Sequence, residues 1–155
     1  AVATIAIGGI AVAGCGSGET DTAQADSTSV VQEWIGQMGE IAVDAADDLT
    51  ALGECPTTSV ADFNKCMSEG ASNLYAIAGR YKAAADEGMK LSMPEPCKAF
   101  ARQTARIGER FADLAMYAEK GIDAVDNYVT AAEKITSETK TGTDLITECG
   151  EALMS

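Results

Sequence analysis

The stretch Glu119-Lys120-Gly121-Ile122-Asp123 decides the fold of this chain. Apolar residues recur at three- and four-residue steps on either side of it: Phe100, Ile107, Phe111, Leu114 and Ala118 before, Ile122, Val125, Val129 and Ala132 after. Such spacing marks one face of a helix, and the phase runs through the stretch unbroken. Taken alone it allows one helix of about 40 residues, roughly 60 Å long. A helix of that length would overhang its neighbours, with nothing to bury its far end. The five residues speak against it. Lysine in a last turn, glycine just after, an apolar residue next and an aspartate able to cap a new start are stop-and-start signals. The chain is therefore expected to turn back at Gly121.

Upstream, two more stripes are legible. Between Ser27 and Leu52 the apolar positions are Val31, Trp34, Met38, Ile41, Ala45 and Leu49, with Ser27 or Ser29 as cap and Gly53 and Pro56 as stop. A second helix is predicted from the Thr58-Ser59 cap, with Asp62 three residues on in capping-box style. Its stripe is Val60, Phe63, Met67, Gly70, Leu74, Ile77, Tyr81 and Ala84, and Gly88 with Pro94-Glu95-Pro96 ends it. A third helix runs from Cys97 to Gly121, and a fourth follows with a kink or break expected near Thr141-Gly142. No segment alternates apolar and polar residues as a strand would. The expected fold is all-α, an up-down-up-down four-helix bundle over residues 27–155.

Cysteine positions bear on the same question. Cys55, Cys66, Cys97 and Cys149 fall in the helical region, no Cys-x-x-Cys pair occurs and the chain has no histidine. Structural zinc needs closer ligand pairs, so two disulfides are expected, as in exported chains. Bridged cysteines need Cα atoms within about 7 Å of one another. Cys149 reaches Cys97 only if the chain travels up and returns between them, so the turn at Gly121 predicts Cys97–Cys149 at one end and Cys55–Cys66 at the other. A single long helix would instead bring Cys149 towards Cys55.

The front of the chain differs in kind. Residues 1–14, AVATIAIGGIAVAG, carry no charge, and residues 16–29, GSGETDTAQADSTS, contain no large apolar side chain. An apolar run of 10 to 14 residues is too short to span a bilayer, which takes about 20, and fits a signal-peptide apolar region. Between the two lies Cys15. Val12-Ala13-Gly14-Cys15 resembles the lipobox of bacterial lipoproteins, in which small residues precede a cysteine. That resemblance implies acylation of the Cys15 thiol, removal of residues 1–14, and a flexible linker over residues 15–26 leading to the bundle.

Composition narrows the chemistry. Eleven basic residues face 24 acidic ones, a net charge of −13, which excludes the basic stripe that nucleic acid requires. The imbalance is local: Glu19–Glu69 holds 11 acids and a single base, Lys65. Without histidine there is no ordinary Ser-His-Asp or Cys-His arrangement, nor the Glu-x-x-His pairs of di-iron bundles. Gly14-x-Gly16-x-Gly18 lacks a preceding strand and reads as a leash. Asp44, Asp47 and Asp48 lack the ligand order of a calcium loop. Met89 and Met93 could suggest a soft copper site, but methionine at helix ends is ordinarily core filler. Lys98, Arg102, Arg106 and Arg110 form a basic row at four-residue spacing. Pairing with Glu33, Glu40 and Asp44 of the first helix would explain it, and contact with anionic lipid is the alternative.

These readings converge on a non-enzymatic lipoprotein on the extracytoplasmic face of the cell membrane, an accessory or adaptor subunit of an integral membrane protein complex. In style it is similar to the small helical lipoproteins that decorate respiratory assemblies of high-GC Gram-positive bacteria. No metal and no cofactor beyond the lipid on Cys15 are expected. The acid-rich end around Asp44, Asp47 and Asp48 is the expected docking site for a basic partner. The competing expectation is a ligand-binding bundle for lipid or metal, with a groove opened by Gly70, Ala71, Ala78 and Gly79.

Overall fold

The computed structural model describes the backbone from Thr22 to Ser155 and the side chains from Thr28 onward. Four α-helices follow one another: α1 Thr22–Gly53, α2 Val60–Gly88, α3 Glu95–Glu119 and α4 Val125–Leu153, with a short 3-10 turn at Gly121–Ala124. The chain does turn back at Gly121. Glycine there has φ +59°, a left-handed conformation that side chains disfavour. The side-chain amide oxygen of Asn64, on α2, accepts the Ile122 N–H at 2.8 Å and so ties the turn down.

Cross-helix contacts fix the directions. Trp34 near the start of α1 lies against Gly88 at the end of α2, while Leu52 near the end of α1 lies against Gly70. Tyr75 of α2 reaches Glu119 of α3, and Tyr81 stacks on Phe111. Cys97 of α3 meets Cys149 of α4, and Gln103 reaches Glu138. Each neighbouring pair is therefore antiparallel, and α1 lies along α2, α2 along α3 and α3 along α4. The bundle has one end with the Gly53–Ser59 connection and the Gly121 turn. The opposite end holds the start of α1, the Gly88–Pro94 connection and the end of α4.

The three upstream stripes are the core. Val31, Trp34, Met38, Ile41, Ala45 and Leu49 are all buried, as are Met67, Leu74, Ile77 and Tyr81 of α2 and Phe100, Ile107, Phe111, Leu114 and Ala118 of α3. Removing such side chains from water supplies most of the driving force, about 1.5–3 kcal/mol for each large one. In the half of the bundle that holds the start of α1, the Trp34 indole N–H donates to the Ala84 carbonyl at 2.7 Å, and its ring meets Phe100 edge-on at 5.5 Å. The α2 start is as predicted: Ser59 Oγ accepts the Asp62 N–H at 3.0 Å, and its hydroxyl donates to the Asp62 carboxylate.

Four details differ from the sequence reading. First, α1 begins at Thr22, so Thr22–Asp26 of the expected linker is helical and Ser27 and Ser29 lie inside a helix rather than capping it. The segment TAQAD has no glycine or proline, and a helix once nucleated extends cheaply through such residues. Second, α4 runs from Val125 to Leu153 without a break at Thr141-Gly142. Gly142 is buried in the seam, where a Cβ would lie 3.5 Å from Ile107. Third, only part of the expected α4 stripe turns inward: Val125 and Ala132 are half-buried, Ala132 against the core. Ile122 and Val129 are exposed, while Ala124, Ala131, Ile135, Gly142 and Cys149 are buried. The 3-10 turn advances the chain by a different angle per residue than an α-helix, so the phase carried over from α3 no longer points inward. Fourth, Val60 of the α2 stripe is exposed, being at the first position of its helix.

Candidate functional site

Cys15, the residues before it and the first part of the leash lie outside the described residues. The other cysteines are placed as the turn requires. Cys55 bonds Cys66 with Cα atoms 5.7 Å apart, and Cys97 bonds Cys149 at 4.5 Å. The first bridge clasps α1 to α2 at the Gly121 end. The second, fully buried, joins the start of α3 to the last turns of α4. In the loop-entropy picture, closing 52 residues is worth about 4 kcal/mol and closing 11 about 3.

Asp44, Asp47 and Asp48 stand on the rim of α1 that overlooks α2. There they line an open hollow of about 320 Å³ with Asn73 and Arg80 opposite and Ala76 and Ile77 as floor. Two of the three are occupied within the chain. Asp44 is ion-paired with Arg80, and Asp48 accepts a hydrogen bond from Asn73 at 3.2 Å. Asp47 has no such partner among the described residues, and with the other two engaged the triad presents less free charge than its sequence suggests. The hollow is shallow and floored by two apolar residues, a place where a cationic side chain could rest between carboxylates. Among the described residues no group of three or more carboxylates or cysteines is placed to hold a metal ion.

The expected groove at Gly70, Ala71, Ala78 and Gly79 takes another form. Ala71 and Ala78 are buried, and a Cβ on Gly70 would run into Leu52. These small residues let helices approach closely, whereas Gly79 faces open space. Met93 is buried beside the chain entering α3 and Met89 is exposed, so the two do not share one surface.

Among the described residues the basic row makes no ion pair with α1. Asp44, the acid nearest in expectation, is held by Arg80 of α2 instead. Arg102 pairs with Glu95 one helical repeat away on its own helix, and that guanidinium, with Lys98 adding to it, holds the Glu95 carboxyl below its ordinary range. Arg110 turns towards α4, with Nε 3.7 Å from Glu138, and its guanidinium also reaches Asp113 at 3.5 Å. Here lies a polar seam that pattern reading missed. Gln103, almost fully buried, donates to the Glu138 carbonyl at 3.0 Å and to its carboxylate at 2.6 Å. Buried amides are retained where their hydrogen bonds are satisfied. The Gln103–Glu138–Arg110 set fixes the register of α4 on α3. Its only signal in the sequence was a glutamine on the inward face of an otherwise apolar stripe.

Burial pushes the hydroxyls of Tyr81 and Tyr128 up to about 12. Tyr75 is also raised, by burial and by Glu119, to whose carboxylate it donates at 3.3 Å. No described helix is long and apolar enough to cross a membrane. No protein-family model, curated protein or solved structure matches the chain.

Proposed function

We propose that this chain is a lipid-anchored accessory or adaptor subunit of a membrane protein complex, held on the extracytoplasmic face by an acylated Cys15. The observation that carries the reading is the sequence Val12-Ala13-Gly14-Cys15, set between an uncharged run and a polar leash. The two disulfides support it, because such bonds persist in oxidising compartments. The helical body supplies rigidity rather than chemistry: its buried surface is mostly apolar, and the buried Gln103 spends its amide N–H groups on Glu138. Asp47, with the paired Asp44 and Asp48 beside it, offers a basic partner a shallow seat on α1.

Native mass spectrometry after gentle detergent extraction tests the role. A stoichiometric complex with an integral membrane protein is the expected result. An isolated chain carrying an added small mass would instead favour a ligand-binding bundle and overturn the adaptor reading.

A further inference from the structure

The charges on this bundle are sorted by side. α1 carries no lysine or arginine at all, and its exposed face presents Glu33, Glu40, Asp44 and Asp47. Across the core, α3 directs Phe100 inward against Trp34 of α1, so its outward face lies on the far side from those acids. That face holds Lys98, Arg102 and Arg106 on consecutive turns, with Lys82 flanking on α2 and Lys90 in the connection below. Arg102 shares Glu95, while Lys82, Lys90 and Arg106 make no ion pair among the described residues. Asp86, Glu87 and Glu95 lie among these five bases in sequence, and Glu109 follows Arg106 by one turn. In a chain of net charge −13, this is a local excess of positive charge. It sits at the end where the chain enters α1 from Cys15.

We propose that this outward face of α3 meets the anionic headgroups of the bilayer, so that the bundle leans on α3 and holds α1 away from the membrane. The inference rests on the anchored reading for the tether, whereas the affinity of the face is independent of it. Geometry requires the lean. Arg106 lies eight residues beyond Lys98, about 12 Å further along the helix, whereas attraction to a charged surface fades over about 8 Å at physiological ionic strength. An upright bundle would leave Arg106 out of reach. Tilting onto α3 brings all three turns within the field and carries the acids of α1 out of it.

The test uses the full chain with Cys15→Ala, which has no acyl group, and co-sedimentation with two kinds of vesicle. One contains phosphatidylglycerol and the other phosphatidylcholine alone. Each base near an anionic leaflet strengthens binding about fivefold. The chain is therefore expected to prefer the anionic vesicles, and to lose that preference in high salt. Replacing Lys98, Arg102 and Arg106 together by glutamine should weaken anionic binding at least tenfold. Replacing Lys65, Lys120 and Lys140 by glutamine, an equal change in net charge elsewhere on the surface, should leave most of it. Circular dichroism confirms that both variants are folded. No preference for anionic vesicles, or equal losses in the two triple variants, overturns the proposal and points to an acidic protein as the partner of this row. Acylation of Cys15 is read separately by mass, so the anchor and the face can each fail alone.

Discussion

Replacing Gly121 by alanine tests the turn that makes this chain a bundle. Two costs are expected. Alanine at φ +59° is in the left-handed region, which costs an L-residue about 1–2 kcal/mol. The added methyl would also collide with the Asn64 side chain, whose oxygen accepts the Ile122 N–H at 2.8 Å. Displacing that acceptor removes a hydrogen bond of about 1 kcal/mol. The loss is then about 2–3 kcal/mol, or roughly 6–12 °C in melting temperature for a domain of this size. Chemical denaturation of four proteins, the parent, Gly121→Ala, Asn64→Ala and the double variant, separates the parts. In the Asn64→Ala background the collision is absent, so Gly121→Ala should cost only the backbone share, about 1–2 kcal/mol. If Gly121→Ala is neutral in both backgrounds, the turn is not built as described. If it costs the same in both, Asn64 plays no part in it.

Three further outcomes follow from the packing. Mild reduction should open Cys55–Cys66 before the fully buried Cys97–Cys149. It should lower the melting temperature while the helical dichroism at low temperature is kept, and mass mapping of alkylated peptides reads the order. A Cβ on Gly88 would strike the Trp34 ring, so Gly88→Ala should cost about 1–3 kcal/mol by overpacking; in a Trp34→Ala background that penalty should vanish, as thermal melts would show. Tyr81 and Tyr128 have folded values raised to about 12 from an ordinary value of 10.0. Their share of stability is intact below the unfolded value and is lost as pH rises towards the folded one, at about 1.4 kcal/mol per pH unit for each. Formation of the Tyr81 and Tyr128 tyrosinates should therefore coincide with loss of helical dichroism in the alkaline range, and titration of either near the ordinary value in an intact bundle would contradict this.

Where a physical signal was local, the sequence showed it. The α1 stripe, the Ser59–Asp62 cap and the Gly121 stop each depend on residues within a turn or two, and each is present. The disulfide pairing was legible because only an antiparallel return brings Cys149 to Cys97. The inward face of α4 was not, because periodicity records spacing within a helix and loses its reference across a turn of different pitch. Thus Ile122 and Val129 read as core and are exposed, while Ala131 and Gly142 are buried. Gly142 looked like a break but serves as a point of close approach. The threonines of α4 also argue for loops by propensity; in the helix, Thr130, Thr136, Thr141, Thr143 and Thr147 return their hydroxyls to carbonyls four residues back. Among the candidate functional residues, charge sign was visible but partnership was not. Arg80, on α2, takes the aspartate that the α3 row was expected to take, and no pattern in one helix announces what a second helix will offer.

The central claim is the anchor, and the intact mass of the protein extracted from membranes tests it most directly. The account predicts a chain that begins at Cys15 and carries a diacyl or triacyl group, since one acyl chain gives only marginal, reversible attachment. A membrane-extracted chain with an unmodified Cys15, or one that retains residues upstream of it, would contradict the account.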